Sequence, residues 1–376
     1  MERDQPCLDI KDDGRTRVMN CGDADGGGDR ISSLPDDVLL DILQCPDLRT
    51  AVRASAVARR WRRLPCMLPD LDMDIATLVP HRRSWFSVDC VMATYTKSIM
   101  WFLLPTRHRT SLRLAFYLVE VDPCLLSIGD AITATTTDRL ELTLRTAYDV
   151  EFGEYDRHLA SFLAAFPTAF ARLTNITLHE FVFATSSEIT GLLDACHGLE
   201  LLSLTSCRCL DSFVEKLEID APNSSLLALE LHDCFFHGVE LTRLPKLDRL
   251  LCDDLTLVQS MRFSSVPLLR AISLSAQHLQ CYIHNPALLS PAFNNLTDVS
   301  LCYIDILNMA WIISVLDAAP FLSNLSRWVK LASHASSGKM FFRLAMLKNA
   351  PGPLWYLYIV VMRFLVSTLI DALTQI

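Results

Sequence analysis

LELLSLTSC at Leu199–Cys207 and LLALELHDC at Leu226–Cys234 share one template, Leu-x-x-Leu-x-Leu-x-x-Cys. Within each copy the last two leucines are two residues apart, so they fall on one side of an extended chain, while the residues between them face the other way. Neither copy can bury its leucines alone, which calls for further copies stacked beside it.

Weaker copies occur on both sides. They are Leu173, Ile176 and Leu178; Leu269, Ile272 and Leu274; and Leu296, Val299 and Leu301. Further starts stand at Leu247 and Leu250 and, last, at Leu322 and Leu325. Successive starts from 173 to 322 lie 26, 27, 21, 22, 27 and 26 residues apart. Degenerate copies are expected around Leu112–Leu114 and Leu140–Leu144. The Cys position is small enough to turn the chain inside the core. The segments between strands are expected to return on the opposite, convex face as helix or irregular chain, with helices at Glu188–Cys196 and Ile306–Leu316. A stacked leucine core also accounts for 51% hydrophobic residues and a mean hydropathy of +0.27.

The in-between residues form two rows on the concave face. One reads Thr177, Ser203, Glu230, Leu251, Ser273 and Ser300; the other His179, Thr205, His232, Asp253, Ser275 and Cys302. At about 4.8 Å between strands, His232 and Asp253 can pair, with His179 two strands away. Thr177, His179, Ser203, Thr205, Glu230, His232 and Asp253 are the candidate partner-binding residues. An acid–base or metal site needs a third convergent ligand, and none is evident, so no metal is expected.

Upstream of the repeats, residues 31–64 read as three short helices. Pro35 suits a first helical turn, and Asp36 and Asp37 favour the positive end of the helix dipole. Val38, Leu39, Ile42 and Leu43 form one stripe, which Cys45-Pro46 interrupts. A second helix is expected from Thr50, as its cap, through Ala54. A third is expected over Ala56–Leu64, with Val57, Trp61 and Leu64 on one face and Arg59, Arg60, Arg62 and Arg63 on the others. So small a unit leans on a partner.

ISSLPDDVLLDIL followed by RASAVARRWRRL resembles an F-box of the kind common in plants. Together with the repeats, the chain resembles plant F-box proteins with leucine-rich repeats over Ile31–Leu325. The resemblance implies an α/β fold: a three-helix F-box, then a solenoid with short parallel strands on its concave face. It also implies docking onto the Skp-type adaptor of a cullin–RING ubiquitin ligase through Leu34, Pro35, Ile42, Leu43, Val57 and Trp61. The repeats would then hold an unknown target protein, and the chain would be a receptor rather than an enzyme. A repeat scaffold with a decayed F-box, and a hydrolase with a cryptic His/Asp site, are the competing readings.

The expected organisation is an unstructured tail at 1–29, the F-box at 30–66, a connector or degenerate first repeat at 67–110, repeats at 111–325, and an atypical segment at 326–376. The connector is expected to hold strand-like pieces such as Trp85–Val91. Met1–Asp29 is Gly/Asp-rich and shows no apolar signal-peptide core, so a reducing cytoplasmic or nuclear setting is expected. Thirteen cysteines then read as buried thiols rather than disulfides, and the sequons at Asn175, Asn223, Asn295 and Asn324 as unglycosylated. A net charge of −9 argues against nucleic-acid binding.

Leu354–Ile376 is apolar enough to span a bilayer, but Arg363 and Asp371 make that costly. A soluble cap, a tail anchor and a non-native terminus are the readings. No GxSxG, HExxH, GxGxxG or Walker A sequence is present. Gly338-Lys339 lacks the upstream glycine of a phosphate loop, and His108-Arg109-Thr110 is not a kinase catalytic loop. No cofactor is expected.

Overall fold

The computed structural model describes residues 31, 34–45, 47–78, 87–103, 108–119, 123–146, 155–210, 216–253, 260–275, 290–302, 318–330 and 341–347. The expected tail at 1–29, the helix at Ile306–Leu316 and the segment Leu354–Ile376 lie outside the described residues.

Helix α1 spans Asp36–Gln44, with Pro35 as its N-cap and both aspartates in its first turn. Helix α2 spans Leu48–Ser55, two residues earlier than expected, because Asp47 rather than Thr50 caps it. The Asp47 carboxylate accepts from the Thr50 N–H at 2.9 Å, and that bond holds its pKa below the ordinary value. The third helix is a 3-10 helix over Arg59–Met67, starting later than expected and containing Pro65. Ala58 is extended at its start, so Val57 falls outside it and leaves the expected face. Leu39, Leu43, Ala51, Trp61, Leu64 and Leu68 form the unit's own core. Arg60 ties the 3-10 helix to α1 through Asp36 at 2.6 Å.

Strand β1 (Asp70–Asp74) follows directly, then helix α3 (Ile75–Leu78) and α4 (Val88–Leu103). Helix stands at Val88–Val91, where a strand piece was expected. Strand β2 (Arg109–Leu118), α5 (Pro123–Ala134), β3 (Thr137–Thr146), α6 (Tyr155–Ala165), α7 (Pro167–Phe170) and β4 (Leu173–His179) come next. The two degenerate copies are thus strands β2 and β3. After them come β5 (Val182–Phe183), α8 (Ser187–Ala195), β6 (Leu201–Thr205), β7 (Arg208–Cys209), β8 (Lys216–Asp220), β9 (Ala228–His232), β10 (Gly238–Arg243) and β11 (Arg249–Asp253). The last described elements are β12 (Ser260–Ser265), β13 (Ala271–Ser275), α9 (Ser290–Phe293), β14 (Asp298–Cys302), β15 (Asn324–Lys330) and β16 (Phe341–Leu347).

The main sheet has the order β1-β2-β3-β4-β6-β9-β11-β13-β14-β15-β16 among the described residues, which is the order of the chain. Its strands are parallel up to β15; β16 turns back antiparallel on β15. A parallel sheet needs a crossover between neighbours. In the first turns helices α4, α5 and α8 lie in these crossovers. Further along, β8, β10 and β12 do so instead and pair into a second parallel sheet. This differs from the expected helix or irregular chain. For β10 and β12 the cause is length: their 21- and 22-residue turns leave about a dozen residues after the nine-residue template, enough for a turn and a strand but little more, and β8, in a 27-residue turn, pairs alongside β10.

The template leucines fill the space between the layers. Leu173, Leu178, Leu199, Leu202, Leu204, Leu229, Leu231 and Leu247 are fully buried. Each such side chain contributes roughly 1.5–3 kcal/mol of burial free energy. Cys207 and Cys234 are buried as expected, and each thiol donates to a carbonyl of the preceding strand, Leu178 and Leu204, at 3.3 Å.

The helical unit joins the sheet through Arg109, which is only 1% exposed. Its guanidinium donates to Leu68 O at 2.6 Å, Cys66 O at 3.1 Å and Phe102 O at 2.8 Å. These carbonyls lie at the C-terminal ends of the 3-10 helix and α4, where helix carbonyls lack internal partners and the dipole favours a cation. Burial lowers the pKa of this guanidinium. Gln44 of α1 adds a hydrogen bond to Asp70 of β1 at 2.8 Å.

Candidate functional site

Two surfaces are available for partners. The first lies on the helical unit. Leu43 and Trp61 are 2% and 9% exposed and belong to its core. The Trp61 indole N–H has no acceptor among the described residues. Leu34 is half-buried against the same core, and Pro35 is exposed at the start of α1. Ile42 and Val57 are outward, 43% and 82% exposed, and Ile31 and Val38 are exposed with them. Four apolar side chains of this small unit thus stand in water.

The second surface is the outer face of the main sheet. Its register aligns the two expected rows strand by strand: Thr177, Ser203, Glu230, Leu251, Ser273, Ser300, and His179, Thr205, His232, Asp253, Ser275, Cys302. The rows also continue backward, to Thr143 and Arg145 of β3. His232 lies between Glu230, 3.6 Å from Nε2, and Asp253, 3.9 Å from Nδ1. Both separations exceed a good hydrogen bond, so the three groups do not form a proton relay. His179 is 3.9 Å from Glu180. Burial, and then the Arg145 guanidinium, push its pKa below the ordinary value, against the pull of Glu180.

Among the described residues no three His, Cys, Asp or Glu side chains are grouped to hold a metal ion. The buried cysteines are poor nucleophiles. Burial raises Cys66 to about 11 and Cys196 to about 12, and raises Cys207 as well, so all three stay protonated at neutral pH. No helix among the described residues is long and apolar enough to cross a membrane.

Residues 31–66 match the F-box-like family model. A putative FBD-associated F-box protein of Arabidopsis thaliana is 27% identical over 259 residues, covering 66% of this chain and 53% of that protein. An F-box/FBD/LRR-repeat protein of the same plant is 28% identical over 230 residues, covering 55% and 46%. An F-box/LRR-repeat protein of that plant is 38% identical over 63 residues, 17% of this chain and 14% of that protein. This chain is similar to plant F-box/LRR-repeat proteins. It spans about half the length of the first two of these relatives.

Three features of the F-box-like unit and the sheet escape a reading of the sequence. Ile31 and Val38 are exposed, as Ile42 and Val57 are. Arg109 fixes that unit against β1 and β2. Glu180, Ser206 and Asp233, each just after a strand, adopt positive φ of 63°, 52° and 49°. Their N–H groups donate to Thr205, His232 and Asp253 carbonyls at 2.8, 2.8 and 2.9 Å. This left-handed turn drives the following residue, Phe181, Cys207 or Cys234, into the core. The two-residue gap before the template Cys is its only trace in the sequence.

Proposed function

We propose that this chain is the substrate-recognition subunit of a Skp–cullin–F-box ubiquitin ligase. The F-box-like unit docks a Skp-type adaptor, and the main sheet, read as a leucine-rich-repeat solenoid, holds a target protein on its outer face. The chain supplies proximity to a catalytic site on another subunit and performs no chemistry itself. Such a receptor works in the cytoplasm or nucleus. The observation that carries this reading is the apolar group Ile31, Val38, Ile42 and Val57, exposed on the unit that matches the F-box-like family model. Leu34 and Pro35 sit beside it at the start of α1.

A pull-down with a recombinant Skp-type adaptor tests the reading. Wild type is expected to bind. Ile42→Glu and Val57→Glu, both at exposed positions that leave the core intact, are expected to abolish binding while preserving the thermal unfolding transition. Absence of binding by folded wild type overturns the reading and leaves a repeat scaffold.

A further inference from the structure

The charges on the outer face are unevenly distributed. Over β1–β3 they neutralise one another: Arg113 pairs with Asp72 at 3.9 Å and Glu141 at 3.0 Å, Arg139 with Glu141 at 3.2 Å, and Arg145 with Asp74 at 3.6 Å. From β4 to β11 the pattern changes. Glu180, Asp233 and Asp253 lie at or just past the C-terminal ends of these strands and Glu230 at the middle of β9, and none has a lysine or arginine partner among the described residues. No lysine or arginine occupies an outward position on β4, β6 or β9. Arg249 of β11 lies at the other end of its strand, beside Asp248.

A second observation marks the same place. Ser203, at the centre of this region between Thr177 and Glu230, is 6% exposed. Its hydroxyl has no hydrogen-bond partner among the described residues. The hydroxyl oxygen is not sealed from solvent, so it can bond a group laid on this face. Hydroxyl groups of Thr177, Thr205 and Ser206 surround it on the same strands and turns.

We propose that the outer face over β4–β11 seats an extended, lysine- or arginine-rich segment of a partner protein. This rests on the reading of that face as the target-binding surface and specifies its partner. Glu180 and Asp233 occupy equivalent turn positions two strands apart, about 10 Å by strand spacing. That is roughly the reach of three residues of extended chain. A segment crossing the strands thus meets Glu180 and Asp233 one such interval apart and offers backbone groups to Ser203 and the neighbouring hydroxyls. The self-neutralised β1–β3 region sets one end of the docking surface.

Fluorescence anisotropy with the full chain and labelled Lys-Ser, Gln-Ser and Glu-Ser repeat peptides tests the proposal. The Lys-Ser peptide is expected to bind most tightly, and more weakly as salt is raised. The double variant Asp233→Asn/Asp253→Asn is expected to weaken it about tenfold. The control Asp89→Asn/Glu218→Gln removes the same net charge from exposed sites off this face and is expected to leave it within about twofold. Equal binding of all three peptides, or equal loss in both double variants, overturns the proposal. The adaptor pull-down separates the two readings. Adaptor binding without peptide selectivity removes this inference and keeps the ligase reading; peptide selectivity without adaptor binding does the reverse.

Discussion

Replacing Arg109 with methionine keeps most of the side-chain volume and removes every donor. Three carbonyls, of Cys66, Leu68 and Phe102, then lose their partner inside the protein. An unmet buried acceptor costs about 1–3 kcal/mol, which sets the gross loss at several kcal/mol. Against this, no carboxylate partners this guanidinium among the described residues, and its removal recovers part of the cost of burying a charge. The net destabilisation expected is about 3 kcal/mol, a large fraction of the 5–15 kcal/mol typical of folded domains. With an m-value near 3 kcal/mol/M, the urea midpoint falls by about 1 M. Circular dichroism against urea measures it. Arg109→Lys should be no more stable than Arg109→Met, because an ammonium cannot span three carbonyls in a planar fork. A midpoint shift under about 0.2 M for Arg109→Met, or full rescue by lysine, refutes the assignment of Arg109 as the joint between the helical unit and the sheet.

Three further outcomes are expected. The depressed His179 pKa means that the unfolded chain binds more protons there near its ordinary value of 6.5. Stability contributed by this group is therefore present above that pH and lost as pH falls through the folded pKa. His179→Gln should flatten the decline of the urea midpoint between about pH 7.5 and 5.5. At Ser206, φ of 52° suits glycine, so Ser206→Gly should leave the thermal midpoint nearly unchanged, whereas Ser206→Val should cost about 1–2 kcal/mol or more. A Cβ added at Gly129 would meet the Phe166 ring at 2.2 Å. Gly129→Ala should thus destabilise by about 1–3 kcal/mol, and adding Phe166→Leu should cost less than the sum of the two single changes, as a double-mutant cycle can measure.

The main sheet was legible because its signal repeats. Leu202 with Leu204, and Leu229 with Leu231, fix inward and outward positions, and the register follows once strands stack in chain order. The crossovers were less legible because each must be read alone. KLEID at 216–220 has the alternation of a strand, with Leu217 and Ile219 buried and Glu218 exposed, but five residues without a repeating partner are weak evidence. Val57 misled by spacing: it falls on the helical stripe of Trp61 and Leu64, yet extended Ala58 removes it from that helix and turns it outward. Arg109 gave no local sign, since the carbonyls it meets lie 7, 41 and 43 residues away.

The buried joint at Arg109 also acts on distance. With the helical unit clamped to β1, each successive strand of the main sheet lies a fixed step of about 4.8 Å further from it. A cargo gripped at β9, five steps along, sits about 24 Å of sheet from the clamp, and one gripped at β14, eight steps along, about 38 Å. The sheet is therefore a graduated ruler: under the proposed ligase reading, the strand on which a target settles decides which of its lysines comes within range of a partner of the helical unit.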